Sequence, residues 1–139
     1  VRDAYRQWCI DRSVTPMIQL VGTEGARSAA VRLLDRLDRP DAVLALAEGY
    51  GPAVLNAAAE LRVAVPDDLL VACGVDSPRA LAVEIPLTAV ALAPELQGRA
   101  AVDLLLERLA GGVGGPVVIQ PKLEIRRSSI GLRARGGRR

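Results

Sequence analysis

Pro40-Asp41-Ala42-Val43-Leu44-Ala45-Leu46-Ala47-Glu48-Gly49-Tyr50-Gly51-Pro52 is the stretch on which the fold turns. The residue before a proline is kept out of helical geometry, so Pro40 closes what precedes it. Ala42 to Ala47 is an apolar run with no polar interruption, too short for a helix and suited to a strand buried on both faces. Gly49-Tyr50-Gly51 turns the chain, and Pro52 sits where a first helical turn tolerates proline. Val54, Leu55, Ala58 and Leu61 then recur at helical spacing as an inward face. Strand, turn and helix follow in that order.

The same rhythm extends to both sides. Upstream, Met17 to Val21 is a short apolar run ended by Gly22, which predicts a buried strand. A helix follows, with Ala26, Ala30, Leu33, Leu34 and Leu37 as its apolar stripe and Arg27, Arg32, Asp35 and Arg36 on its wet side. Downstream, Val65-Pro66-Asp67-Asp68 is a loop, Leu69 to Cys73 a third strand, and Gly74-Val75-Asp76-Ser77-Pro78 a turn beyond its carboxyl end. Alternating strands and helices, with strands apolar on both sides, predict an α/β domain: a parallel sheet flanked by helices on both faces. Crossovers should be right-handed, and ligands bind such sheets at the carboxyl ends of strands. That points to Gly22-Thr23-Glu24, Ala47-Glu48-Gly49-Tyr50 and Gly74-Val75-Asp76.

At the flanks the pattern changes. Val1, Ala4, Tyr5, Trp8 and Cys9 share a helical face, so residues 1 to about 12 should be a helix. Leu87 to Leu92 reads as a strand. Pro94 opens a helix whose Leu96, Ala100, Ala101, Leu104, Leu105 and Leu109 face one way, and Gly111-Gly112 ends it. Val117 to Ile119 and Leu123 to Arg126 read as two short strands. Residues 1–130 thus form one domain and 131–139 a flexible basic tail. No internal repeat is present.

Composition narrows the chemistry. The 139 residues are 50% hydrophobic but only 2% aromatic, with two Tyr, one Trp and no Phe, so small and branched side chains must fill the core. There is no histidine, which removes the commonest general base, metal ligand and neutral-pH switch. Cys9 and Cys73 fit neither a disulfide framework nor a metal motif, and read as buried small hydrophobes in a reducing compartment. No apolar run approaches a membrane span, and no signal-peptide pattern opens the chain, so a cytoplasmic location is expected. The lack of an initiator Met, with an amphipathic pattern already running at Val1, suggests a truncated or processed chain. The formal charge of +2 divides into +6 over residues 122–139 and −4 over the rest. An acidic body carries a basic end.

Reactive motifs are scarce. Asp67-Asp68 follows a proline in a loop and reads as solvated. Ser128-Ser129 has no histidine to activate it, so triad chemistry is excluded. Gly111-Gly112-Val113-Gly114-Gly115 follows a helix and lacks the Gly-Lys-Ser/Thr ending of a phosphate loop. No enzyme, metal or cofactor is expected. The Arg-rich end could add nonspecific phosphate contacts or simply be solvated.

Several motifs in sequence order resemble the effector-binding region of the lactose-repressor/galactose-repressor family of transcription regulators. Pro40-Asp41-Ala42 through Ala47-Glu48 resembles the family's run ending in Ala-Asn-Asp. Val65-Pro66-Asp67-Asp68 resembles Val-Pro-Glu/Asp-Asp, and Cys73-Gly74-Val75-Asp76 stands in place of Gly-Phe-Asp-Asp. Ile85-Pro86-Leu87-Thr88-Ala89-Val90 resembles Pro-Pro-Leu-Thr-Thr-Val, Gly98 to Leu109 the Gly-x-x-Ala-x-x-Leu-Leu helix, and Leu123 to Ser129 the closing Leu-Val-Val-Arg-x-Ser-Thr. The resemblance implies a periplasmic-binding-protein-like carboxyl-terminal subdomain plus crossing segments, a homodimer, a small-molecule effector, and DNA recognition by an amino-terminal helix-turn-helix absent from this chain.

It also implies where the effector would lie: Ala47, Glu48, Tyr50, Val75, Asp76 and Leu92. Ala47, Val75, Leu92 and Val1 stand where the family carries Asn, Asp, Gln and Arg. A sugar hydroxyl buried there would lack its partner, at about 1 to 3 kcal/mol each. A degenerate sugar site follows. Glu48 and Asp76 are either contacts for a polar effector or turn and capping residues, and Tyr50 either stacks on a ligand or covers the sheet end. The dimer contact implied by the family falls on Ala53, Ala57, Leu81 and Val83, which core packing would explain equally well. The helix after Pro94 should present an exposed leucine face unless it repacks or meets another chain. A solute-binding protein of transport and a small α/β enzyme are the alternatives.

Overall fold

The computed structural model describes residues 1–22 and 25–131. Thr23 and Glu24, expected at a strand end, lie outside them, as does the basic tail from residue 132 onward. In chain order the elements are α1 (Arg2–Asp11), α2 (Gly25–Leu34), β1 (Ala42–Ala45), α3 (Tyr50–Glu60), β2 (Leu70–Cys73), α4 (Pro78–Leu81), β3 (Thr88–Ala91), α5 (Pro94–Leu109), β4 (Lys122–Glu124) and a 3-10 turn at Arg127–Ser129. The sheet order is β1-β2-β3-β4. β1, β2 and β3 run parallel, as their apolar runs and the intervening helices require, and β4 returns antiparallel along β3.

The core is built on one side of this sheet. Strand side chains alternate between faces, and β1 and β2 meet α3, which is itself packed on α2, with Val43, Ala45, Val71, Cys73 and Ala89 in one core. Ala30, Leu34, Val54, Ala57 and Ala58 fill the helical side, while Leu69 and Leu87, at the strand entrances, are fully buried. With no Phe available, contact is gained by letting backbones approach. Gly51 sits so close to β2 that a Cβ there would collide with Cys73 Sγ and lie 2.7 Å from Leu87 Cδ1.

Four expectations are corrected. Met17 to Val21 forms no strand: β1 is the edge of the sheet, and the segment lies against the end of α2, with Leu20 69% exposed. Val117 to Ile119 pairs with nothing, leaving β4 as the only strand after α5 among the described residues. Leu37 lies past the end of α2 and is fully exposed. On the opposite face of the sheet Leu44 and Leu123 are more than half exposed, so among the described residues no helix buries them.

The outer helices explain that openness. α1 buries only Cys9; its Tyr5 and Trp8 stack on each other at the surface, with Arg12 over the Trp8 ring. α5 buries nothing, and Leu96, Leu105 and Leu109 are more than half exposed, in line with the leucine face expected from the sequence.

Gly51→Ala should therefore destabilise the chain. The added methyl must displace Cys73 and Leu87 in a filled core, at about 1 to 3 kcal/mol. Urea unfolding monitored by circular dichroism should show a lower midpoint with unchanged slope; an unchanged midpoint would contradict the close approach.

Candidate functional site

Because β1, β2 and β3 are parallel neighbours, their carboxyl ends open on the same edge of the sheet and bring three loops side by side. The first carries Ala47 and Glu48, both exposed, and enters α3 through Gly49, whose positive φ of 81° is the left-handed conformation that glycine accepts without a Cβ clash. The second carries Val75 and Asp76, both half-buried. The third carries Leu92, which is exposed. The expected cleft residues are thus gathered at one edge, and their chemistry is sparse. Ala47, Val75 and Leu92 present only hydrocarbon. Tyr50 opens α3 half-buried and packed against the core.

Asp76 is the residue with the most contacts, and it is already occupied. Arg126, just past β4, donates from Nη1 to Asp76 Oδ1 at 2.8 Å and from Nη2 to Oδ2 at 2.7 Å, a two-pronged pair. The same Nη1 donates to the Leu87 carbonyl at 2.8 Å. Asp76 also donates its amide to the Val90 carbonyl of β3 at 2.8 Å. The side chains of the pair are only 16% and 19% exposed. Hydrogen bonds from Arg126 hold the Asp76 carboxyl below the usual carboxylate range, against an opposing push from burial, and Asp76 in turn raises the guanidinium. Cys73, beneath the loop, has its thiol pushed up by burial and then by the Asp76 charge.

Around this pair runs a polar seam that closes the sheet. The Thr88 amide donates to Ser128 Oγ at 2.9 Å, and Ser128 Oγ donates to the Val71 carbonyl at 2.6 Å. The Arg126 amide donates to Thr88 Oγ1 at 2.8 Å. Ser128 is thus a structural bridge between β2 and β3. Among the described residues no group of three or more potential metal ligands comes together.

Arg126, Thr88 and Ser128 were missed as a unit, because an acid and a base 50 residues apart carry no local signal of pairing. Two further polar groups reach the same edge. The Gln97 amide nitrogen donates to the Leu92 carbonyl. Arg79 of α4 lies with Nη1 3.7 Å from where a Cβ on Gly49 would stand. Of the residues expected at a subunit contact, Leu81 is exposed and Ala53 and Val83 half-buried, but Ala57 is fully enclosed in the chain's own core. Its side chain has no surface to offer.

Removing one member of the Asp76–Arg126 pair strands a mostly buried charge. Arg126→Met should cost about 3 kcal/mol by the usual penalty for breaking such a pair. Because the folded-state pKa of Asp76 is depressed, its contribution is present above the ordinary carboxylate pKa and disappears as pH falls through the lowered one. Thermal melts from pH 7 down to pH 2 should show a steeper acid loss for the parent chain than for Arg126→Met. Parallel curves would refute the assignment.

The periplasmic binding protein-like domain family matches residues 1–129. The chain is 38% identical over 103 residues to the HTH-type transcriptional regulator CelR of Thermobifida fusca, covering 72% of this chain and 30% of that protein. It is 37% identical over 73 residues to the lactose operon repressor of Rhizobium radiobacter, covering 52% of this chain and 65% of that protein. The chain therefore spans less than two thirds of either relative. A LacI family transcriptional regulator from Bifidobacterium animalis superposes with a TM-score of 0.87 at 24% identity, over 94% of this chain and 49% of that one, which shows the shared fold. Sheet order, strand-end loops and sequence together place the chain in the periplasmic binding protein-like domain family, where it is similar to LacI-type transcriptional regulators.

Proposed function

We propose that this chain is the effector-sensing and subunit-contact portion of a cytoplasmic LacI-type transcription regulator, whose DNA contacts are made by another part of the protein. The observation that carries this is the row of three strand-end loops, Ala47-Glu48, Val75-Asp76 and Leu92, on a domain that matches regulators in sequence. The names of both relatives favour regulation over solute transport or catalysis. No helix among the described residues is long and apolar enough to cross a membrane.

The effector site is reduced. A neutral sugar needs directed donors and acceptors around its hydroxyls. Here Ala47, Val75 and Leu92 supply none, Asp76 is taken by Arg126, and Glu48 stands in solvent. The domain retains the framework of a sugar site with little of its hydrogen-bonding capacity.

The full product of the gene encoding this chain should retain a DNA fragment from upstream of that gene in a gel-shift assay. Failure to bind any such fragment would overturn the regulator reading. In a thermal-shift screen over mono- and disaccharides, nucleosides and amino acids, neutral sugars should give no shift. A clear sugar-induced rise in Tm would refute the reduced site.

For subunit contact, Ala53, Leu81 and Val83 are the surface we assign, on α3 and around α4. Leu81→Arg in the full gene product should convert a dimer to a monomer in sedimentation velocity without lowering Tm. A dimer unaffected by Leu81→Arg would place the contact elsewhere.

A further inference from the structure

We infer that the edge formed by the three strand-end loops takes an uncharged small molecule with an apolar face. This ligand class rests on the effector-sensing reading proposed above and narrows it. The place follows from topology, since ligands of parallel sheets lie beyond the carboxyl ends of the strands. The chemistry follows from what the loops carry there.

Backbone hydrogen bonds continue past the strands and set the loops side by side. The Gly74 amide donates to the Ala45 carbonyl at 2.8 Å, and the Asp76 amide to the Val90 carbonyl at 2.8 Å. Leu46 lies over the bare backbone of Gly74, its Cδ2 3.3 Å from where a Cβ would stand. Leu46 is 47% exposed and Leu92 40%, while Ala47 is exposed and Val75, on the middle loop, half-buried. A single exposed leucine is ordinary on a protein surface. Hydrocarbon on all three neighbouring loops, at the edge where such a sheet binds its ligand, is the composition of a small-molecule site with an apolar floor.

The polar groups of the same loops are engaged within the chain. Both carboxylate oxygens of Asp76 lie on Arg126, and Arg126 Nη1 also reaches the Leu87 carbonyl. The Ala47 carbonyl accepts from the Tyr50 amide at 3.2 Å, and the Leu92 carbonyl from the Gln97 side chain. At the rim, Glu48 and Arg79 are exposed and opposite in sign, with Arg79 Nη1 3.7 Å from where a Cβ on Gly49 would stand. The charges of the edge therefore cancel. A charged ligand would give up water there without a counter-charge to replace it. A hydroxyl-rich one would leave its hydrogen bonds unmet. An apolar face instead gains by removing Leu46, Ala47, Val75 and Leu92 from water.

The test is calorimetric titration of the full product of the gene encoding this chain. Indole, cresol and cyclohexanone serve as uncharged probes, indoleacetate and tryptamine as charged counterparts of indole, and glucose as the hydroxylated probe. At least one uncharged probe should bind, with the negative heat-capacity change of apolar burial. Ala47→Asn and Leu92→Gln place a polar head on the floor at exposed positions, where folding is not at stake. Each should weaken that binding about tenfold, because the new group finds no partner on the ligand. Silence from all three uncharged probes would overturn the ligand class. So would equal or tighter binding of glucose or of the charged counterparts, or binding that ignores both variants. A gel shift on the same protein keeps the two readings apart. DNA binding without probe binding removes the ligand class alone, and probe binding that depends on Leu92 without DNA binding removes the regulator reading alone.

Discussion

A carboxylate and a guanidinium, each more than four-fifths removed from water, hold the closing edge of this domain together. Burying two charges is costly unless geometry and extra hydrogen bonds repay it. Here the repayment is visible atom by atom: two parallel bonds between Arg126 and Asp76, a third to the Leu87 carbonyl, and the Asp76 amide on Val90. The neighbouring seam of Thr88 and Ser128 satisfies the polar atoms where β2, β3 and the final turn meet. No buried side-chain polar atom among the described residues is left without a partner. The sheet thus closes its returning edge with polar bonds, where a chain richer in aromatics would have used bulk.

The scarcity of large side chains shapes the remainder in the same way. Alanine and glycine supply little area each, so burial must come from close approach of backbones. Gly51 against Cys73 and Leu87, and Gly74 against the Leu46 backbone, are the places where this is carried furthest. These contacts draw α3 down over the carboxyl end of β2. The loops beyond β1 and β2 are brought together by the same approach. Core packing and site geometry therefore share residues, and a substitution that loosens one loosens the other.

What could be read from the residues follows the range of the forces involved. The apolar runs at Ala42 to Ala47 and Leu69 to Cys73 announce their strands because each is a short uninterrupted apolar run between turn signals, even though Leu44 faces the open side of the sheet, and Pro52 and Pro94 announce their helices through local backbone geometry. Met17 to Val21 carried the same signal and formed no strand. Pairing needs a partner in register as well as apolar side chains, and β1 leaves its outer edge unpaired here. Val117 to Ile119 failed for the same reason. At the site, the positions Ala47, Val75 and Leu92 and the turn containing Asp76 were legible from motif order. The partner of Asp76 was not, because a bond between residues 76 and 126 exists only once β3 and β4 lie side by side.

That pairing bears on the two roles open to Asp76. An acid at a strand end is a natural contact for a polar effector, and equally a natural turn residue. A carboxylate with both oxygens on one guanidinium has little acceptor capacity left for a ligand hydroxyl, and drawing it away would leave Arg126 partly buried and uncompensated. A ligand must therefore offer Arg126 an acid of its own or leave the pair intact and rest on Ala47, Val75 and Leu92 through apolar contact. On the proposed reading, a neutral sugar would find few of the directed hydrogen bonds that its hydroxyls need at this edge. The same bonds that occupy the acceptors of the loop also tie it to β3 and to the segment beyond β4.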